Sequence, residues 1–196
     1  MEFTQQQNTK YIAALLLLAV VTQAVYTAMY VAASELSRTW LWGIEGLLFV
    51  LLAAIAGSAL VMAKQYTLGY SAIFASAILN VVQVGIGLTQ FGAFREAAQG
   101  LEALQPAAWS VVALSFFIYN AAKVLLGLAA LVFGSAMIKA GSIWLGRLTM
   151  LLGVVAMITN TIVMMFGRIE AVPSGATGVV ATLLLAICLF KLQSEE

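Results

Sequence analysis

Six runs of the chain are apolar over a length that crosses a lipid bilayer, and they leave little room for anything else. They cover residues 11–33, 41–63, 68–91, 118–138, 143–167 and 175–192. A hydrocarbon core needs about 20 consecutive apolar residues of helix to span it. Within lipid, backbone amides must be satisfied inside the segment, so open runs of this kind predict helices. The composition agrees: 63% of residues are hydrophobic and 9% charged, where a soluble domain has about 25% charged residues. The reading is an all-α, polytopic membrane protein. It is one domain, 1–196, with a polar amino-terminal tail, 1–10, ahead of six transmembrane helices. The tail, "MEFTQQQNTK", lacks the basic n-region and small-residue cleavage site of a signal peptide, so the first span is expected in the mature protein.

Lysines and arginines near the span ends set the orientation. Lys10, Lys64, Lys139, Arg147 and Lys191 fall on the amino-terminal side; Arg38, Arg95 and Arg168 fall on the other. Both termini are therefore expected in the cytoplasm. Glu35, Glu96, Glu102 and Glu170 all lie on the outer side, as do Pro106 and Pro173, each shortly before a helix.

Several chemistries lack their residues. The chain has no histidine, no aspartate and one cysteine, Cys188. This excludes haem or zinc ligation through histidine and an intramolecular disulfide. Met157, Met164 and Met165 read as core filler, because methionine without His or Cys is a weak ligand set. No cofactor and no metal are expected. A net charge of +1 offers no surface for nucleic acid.

An internal similarity stands out. "GSALVMAKQYTLG" begins at Gly57 and "GSAMIKAGSIWLG" at Gly134, 77 residues on, with Gly57/Gly134, Ser58/Ser135, Ala59/Ala136, Ala63/Ala140, Leu68/Leu145 and Gly69/Gly146 identical. Each stretch covers the end of one helix, a tight turn and the start of the next. Spans 2–3 and 4–5 therefore read as two copies of one hairpin, a parallel repeat about an axis along the membrane normal. Convergent small-residue turns are the other explanation.

The same offset gives depth. The apolar stretch from Ala107 to Ile138 is too long for one span, at about 1.5 Å per residue. Span 2 begins near Leu41, which maps onto Ile118, so 118–138 crosses and 107–117 is an outer extension with Trp109 near the headgroups. Lys123 then lies about one and a half turns below the outer boundary and is expected to snorkel toward water. Glu45 maps beside it, onto Ala122. The two charges either pair across the pseudo-axis or reach the headgroups separately.

The remaining polar residues concentrate from the midplane outward. Gln23, Tyr26 and Tyr30 sit in the outer half of span 1, Asn80 and Gln83 in span 3, Tyr119 and Asn120 in span 4, and Asn160 in span 5. Polar groups in a bilayer face the bundle interior or a wet cavity. With Glu45 and Lys123, these ten residues are the candidate ligand-binding set, lining a polar vestibule open to the outside above a dry cytoplasmic half. Interhelical hydrogen bonding is the plainer account of each amide taken singly.

From Glu45 onward, "IEGLLFVLLA", "YTLGYSAIFASAILNVV" and "LAALVFGSAMIKAGSIWLG" resemble a bacterial and archaeal family of six-helix membrane proteins classed only as a domain of unknown function. That family often carries an acidic residue in the middle of helix 3, where this chain has Asn80 or Gln83. The resemblance implies six helices and a prokaryotic inner membrane, and no activity.

The favoured function is binding or transport of a small or amphipathic molecule from the outer side. The alternative is a non-catalytic accessory or assembly subunit of a larger membrane complex. Expected partners are membrane lipids, a small-molecule or lipid ligand, and a membrane-protein partner or second copy. An enzyme is the least favoured class: without His or Asp, acid–base work would fall on Glu45, Lys123 or a tyrosine.

Overall fold

A computed structural model describes residues 3–32, 37–167, 169 and 174–193. Glu35, Arg168, Glu170 and Pro173, which entered the orientation and loop readings, lie outside the described residues. Among the described residues seven α-helices follow one another: α1 Gln5–Val31, α2 Thr39–Met62, α3 Thr67–Thr89, α4 Phe91–Gly100, α5 Gln105–Lys139, α6 Ile143–Phe166 and α7 Ser174–Gln193. A single 3-10 turn, Glu102–Leu104, joins α4 to α5. Six helical segments are long and apolar enough to cross a membrane, with α4 continuing the α3 segment.

The exteriors are apolar. Leu18, Leu47, Val61, Trp144, Leu151 and Ile158 are exposed, the reverse of a soluble bundle and the surface that lipid chains cover. The core is built from Ile12, Leu16, Phe49, Leu52, Ile73, Leu126, Phe133 and Leu185, with alanines between them. Backbone neighbours run α1–α2–α3–α5–α7 and back to α1, closing a ring, while α6 packs outside it against α5 and α7. Helices α1 and α5 face each other across the ring without touching through their backbones. Below, the near end is the one with the start of α1 and the end of α7; the far end is opposite.

Two local features depart from the sequence expectations. Residues 5–10 are helix and not tail. Thr4 caps α1: its side chain accepts from the Gln7 amide and the Gln7 side chain accepts from the Thr4 amide. The helix thus begins at Gln5, and Asn8 and Thr9 are buried in the bundle. The Thr4/Gln7 spacing is that of a capping box and was the overlooked signal. Second, the third span ends at Thr89, and the loop after it folds as α4. Residues 107–117 belong to one unbroken 35-residue helix, α5, started by Pro106 in its first turn.

The hairpins α2–α3 and α5–α6 are closed differently. After α5, Gly141 takes a positive φ of 96°, and the Ser142 amide bonds the Met137 carbonyl, the Schellman pattern that glycine permits. After α2, the positive φ falls instead on Tyr66, at 58°. Packing differs too. A Cβ on Gly134 or Gly146 would lie within 2.9 Å of the other's carbonyl oxygen, and Gly127 and Gly153 meet in the same way. These four glycines form a seam, one pair every two turns, that draws α5 and α6 into backbone contact. The counterpart glycines of the first hairpin, Gly57 and Gly69, instead face Phe74 and Phe133.

Candidate functional site

Three helices of the ring place charge and amide at one level of the far half. Lys123 points from α5 across the ring, and its Nζ donates to Gln23 Oε1 of α1 at 2.8 Å. Glu45 of α2 lies beside the same Gln23 side chain. Thr22 Oγ1 donates to Glu45 Oε1 at 3.4 Å. The cation and the carboxylate do not touch. The Gln23 side chain stands between them, its oxygen facing the ammonium.

Lys123 is 1% exposed and Glu45 8%. The snorkelling lysine expected from the sequence is therefore corrected. The side chain runs inward because α7 leaves it a channel: a Cβ on Gly178 would lie 2.9 Å from Lys123 Cδ and 3.0 Å from Cγ. The Tyr119 ring, one turn earlier on α5, lies 5.2 Å from Nζ, and its face adds to the attraction on the cation. Buried charges persist when opposite charge and hydrogen bonds compensate them, and Gln23, Glu45 and Tyr119 supply that compensation here.

The ten candidate residues do not line one vestibule. Gln23, Glu45, Tyr119 and Lys123 come together. Tyr26 stacks on Trp42 at 5.9 Å, with Arg38 over both Tyr26 and Tyr30. Tyr30 is 59% exposed. Asn80 turns back to its own helix, donating to the Ser76 carbonyl. Gln83 Nε2 donates to Ser115 Oγ at 3.2 Å, tying α3 to α5. Asn160 donates to the carbonyls of Ala156 and Ser174, and Thr159 meets Thr177 at 2.7 Å, which together clasp α6 to the start of α7. Asn120 donates to the Phe116 carbonyl, and its Oδ1 is buried without a hydrogen bond.

Two of these residues border a far-end cavity of about 1030 Å³ between α5, α6 and α7. Phe116, Phe117, Val163 and Met164 form its apolar walls, and Tyr119, Asn120 and Ser174 contribute polar atoms. Tyr119 is thus a partition, lining the cavity and lying beside Lys123. The sequence reading missed Ser115 and Gly178. Gly178 had a signal, a glycine four residues into a span that otherwise favours helix.

The near half is not dry, which corrects the other half of the vestibule reading. Thr9 and Tyr70 share a hydrogen bond of 2.8 Å, Asn8 donates to Ser58 Oγ, and Thr149 meets Cys188 Sγ at 3.1 Å. A second cavity, of about 920 Å³, opens at this end. The apolar sequence of the near half concealed it because its polar groups come from helix ends and turns.

Comparison of the chain with protein-family models, with curated proteins and with solved structures finds no match.

Proposed function

We propose that this chain is a multi-pass membrane protein that binds or transports a small or amphipathic molecule in the far-end cavity. The carrying observation is Asn120: a buried amide at the cavity wall whose Oδ1 has no donor. Pockets for small molecules are concave, largely apolar and marked by a few placed polar groups. Aromatic walls with one open acceptor fit a guest with an apolar body and a hydroxyl, amide or ammonium donor. Tyr119 would connect occupancy of the cavity to the Lys123–Gln23–Glu45 chain. The lysine and arginine distribution supports cytoplasmic termini and a cavity on the outer side. The identities shared by "GSALVMAKQYTLG" and "GSAMIKAGSIWLG" support two copies of one hairpin that have since packed differently.

Native mass spectrometry of protein released from mild detergent tests the reading. Wild-type protein should carry a reproducible adduct. Asn120→Leu, which removes the acceptor, and Ala113→Trp, which fills the cavity, should both lose it. Retention by both variants overturns the assignment.

One observation favours a second reading, an accessory subunit. The extension of α5 exposes Trp109, Leu114, Phe116 and Phe117, apolar surface suited to a partner helix in the membrane. Co-purification of a fixed partner, lost on Trp109→Ala/Phe116→Ala, would support it.

A further inference from the structure

The near-end cavity carries positive charge. Lys64, from the turn between α2 and α3, and Lys139, from the last turn of α5, both line it, and among the described residues no carboxylate does. Neither Lys64 nor Lys139 makes an ion pair with a described carboxylate. Two cations from separate parts of the chain thus converge on one concavity without a counter-ion among the described residues.

The rest of the lining sorts by depth. Phe133, Met62 and Leu192 are apolar and belong to the bundle, while Gln5, Thr9, Tyr66 and Gln65 bring amide and hydroxyl groups. The Tyr70 ring meets Phe133 edge-on at 5.1 Å, and Tyr66 lies 6.0 Å from the same ring, so the inner wall is aromatic. Gln5 Oε1 is buried and carries no hydrogen bond, leaving an acceptor at the rim. Basic pockets between membrane helices at the headgroup level suit anionic lipid headgroups.

We infer that the near-end cavity is a binding site for a phosphate ester bearing free hydroxyls. Lys64 and Lys139 hold the phosphate, Gln5 accepts from a hydroxyl, and the Phe133 wall takes any attached apolar chain. The chemistry is shared by a polyol phospholipid headgroup and by a free polyol phosphate. The site is independent of the far-end cavity and of its guest.

The test uses full-length protein in detergent micelles doped with phosphatidylglycerol or phosphatidylcholine, read by native mass spectrometry. Wild-type protein should retain phosphatidylglycerol in preference to phosphatidylcholine. Lys64→Gln/Lys139→Gln should bind it roughly thirtyfold more weakly, from about fivefold per lysine near a headgroup. Lys10→Gln, at the same end but outside the lining, should match wild type. Unaltered melting of the double variant would show that it still folds. Soluble glycerol phosphate forms the second arm. Displacement of phosphatidylglycerol by it assigns the site to a free phosphate ester, and failure to displace assigns it to the lipid. Equal retention of both lipids with no binding of glycerol phosphate overturns the inference, as does an equal loss in Lys10→Gln.

Discussion

Gly178 of α7 makes room for the stem of Lys123: a single added methyl group would sit 2.9 Å from Cδ and 3.3 Å from Cβ. The glycine therefore governs whether the lysine can cross the ring at all. Its removal from the helix would gain propensity, about 1 kcal/mol for alanine over glycine, but the collision takes precedence because the obstructing atoms belong to a stem packed on every side.

Gly178→Ala should destabilise the protein by roughly 1–3 kcal/mol, the usual cost of overpacking a filled core. Truncating the lysine should restore the space. The double variant Gly178→Ala/Lys123→Ala should melt above the value that the two single changes predict additively, with a coupling of at least about 0.5 kcal/mol. Thermal unfolding in detergent checks this; strict additivity would mean the two residues are not in contact.

Gln23 should be worth more than an ordinary membrane amide. Gln23→Leu leaves the Lys123 ammonium without its 2.8 Å acceptor. The expected loss is about 1–3 kcal/mol, because the groups left behind are buried. Gln23→Glu keeps the acceptor for Lys123 but sets two carboxylates side by side, so it should not rescue. Combining Gln23→Leu with Glu45→Leu and Lys123→Met should recover much of the loss, since apolar replacement of a whole buried polar set is often tolerated. Melting temperatures of the four proteins distinguish these outcomes.

The α5–α6 seam should tolerate no side chain. Gly134→Val or Gly146→Val places atoms against a facing backbone that has nowhere to go, and folded yield in the membrane should collapse. Gly43→Ala and Gly85→Ala meet nothing within 4 Å, and should be neutral or gain up to about 1 kcal/mol from helix propensity. Detergent-extracted yield and monodispersity measure both. Normal yield for Gly146→Val would refute the close approach.

Tyr70→Phe removes one end of the 2.8 Å contact with Thr9 and keeps the ring against Phe133. A modest loss of about 0.6 kcal/mol is expected, the average for such bonds between membrane helices. Tyr70→Ala also loses the aromatic contact and should cost about 3–5 kcal/mol. Similar losses for the two variants would show that the hydroxyl, and not the ring, secures α1 to α3.

Much of the architecture could be read without coordinates. The lengths of the apolar runs made six spanning helices unavoidable, the long stretch before Ile138 announced the α5 extension, and Pro106 marked its start. The common level of Glu45 and Lys123 was also foreshadowed by the 77-residue offset, but their burial was not. What composition left open was azimuth. In a soluble bundle the buried face differs from the exposed face in polarity, whereas in a membrane both are apolar. Whether Lys123 turned to the headgroups or into the ring therefore depended on its neighbours: Gly178 opening a channel on one side and Gln23 waiting on α1, whose backbone α5 does not contact. The tertiary structure alone decided that Asn80 bonds its own helix, that Gln83 and Asn160 serve different clasps, and that Lys64 and Lys139, 75 positions apart, share a cavity. The sequence by itself determined how many times the chain can cross a bilayer, because each segment must satisfy its own backbone. The packing of seven helices determined which polar side chains meet, because a hydrogen bond across helices needs two partners brought to about 3 Å.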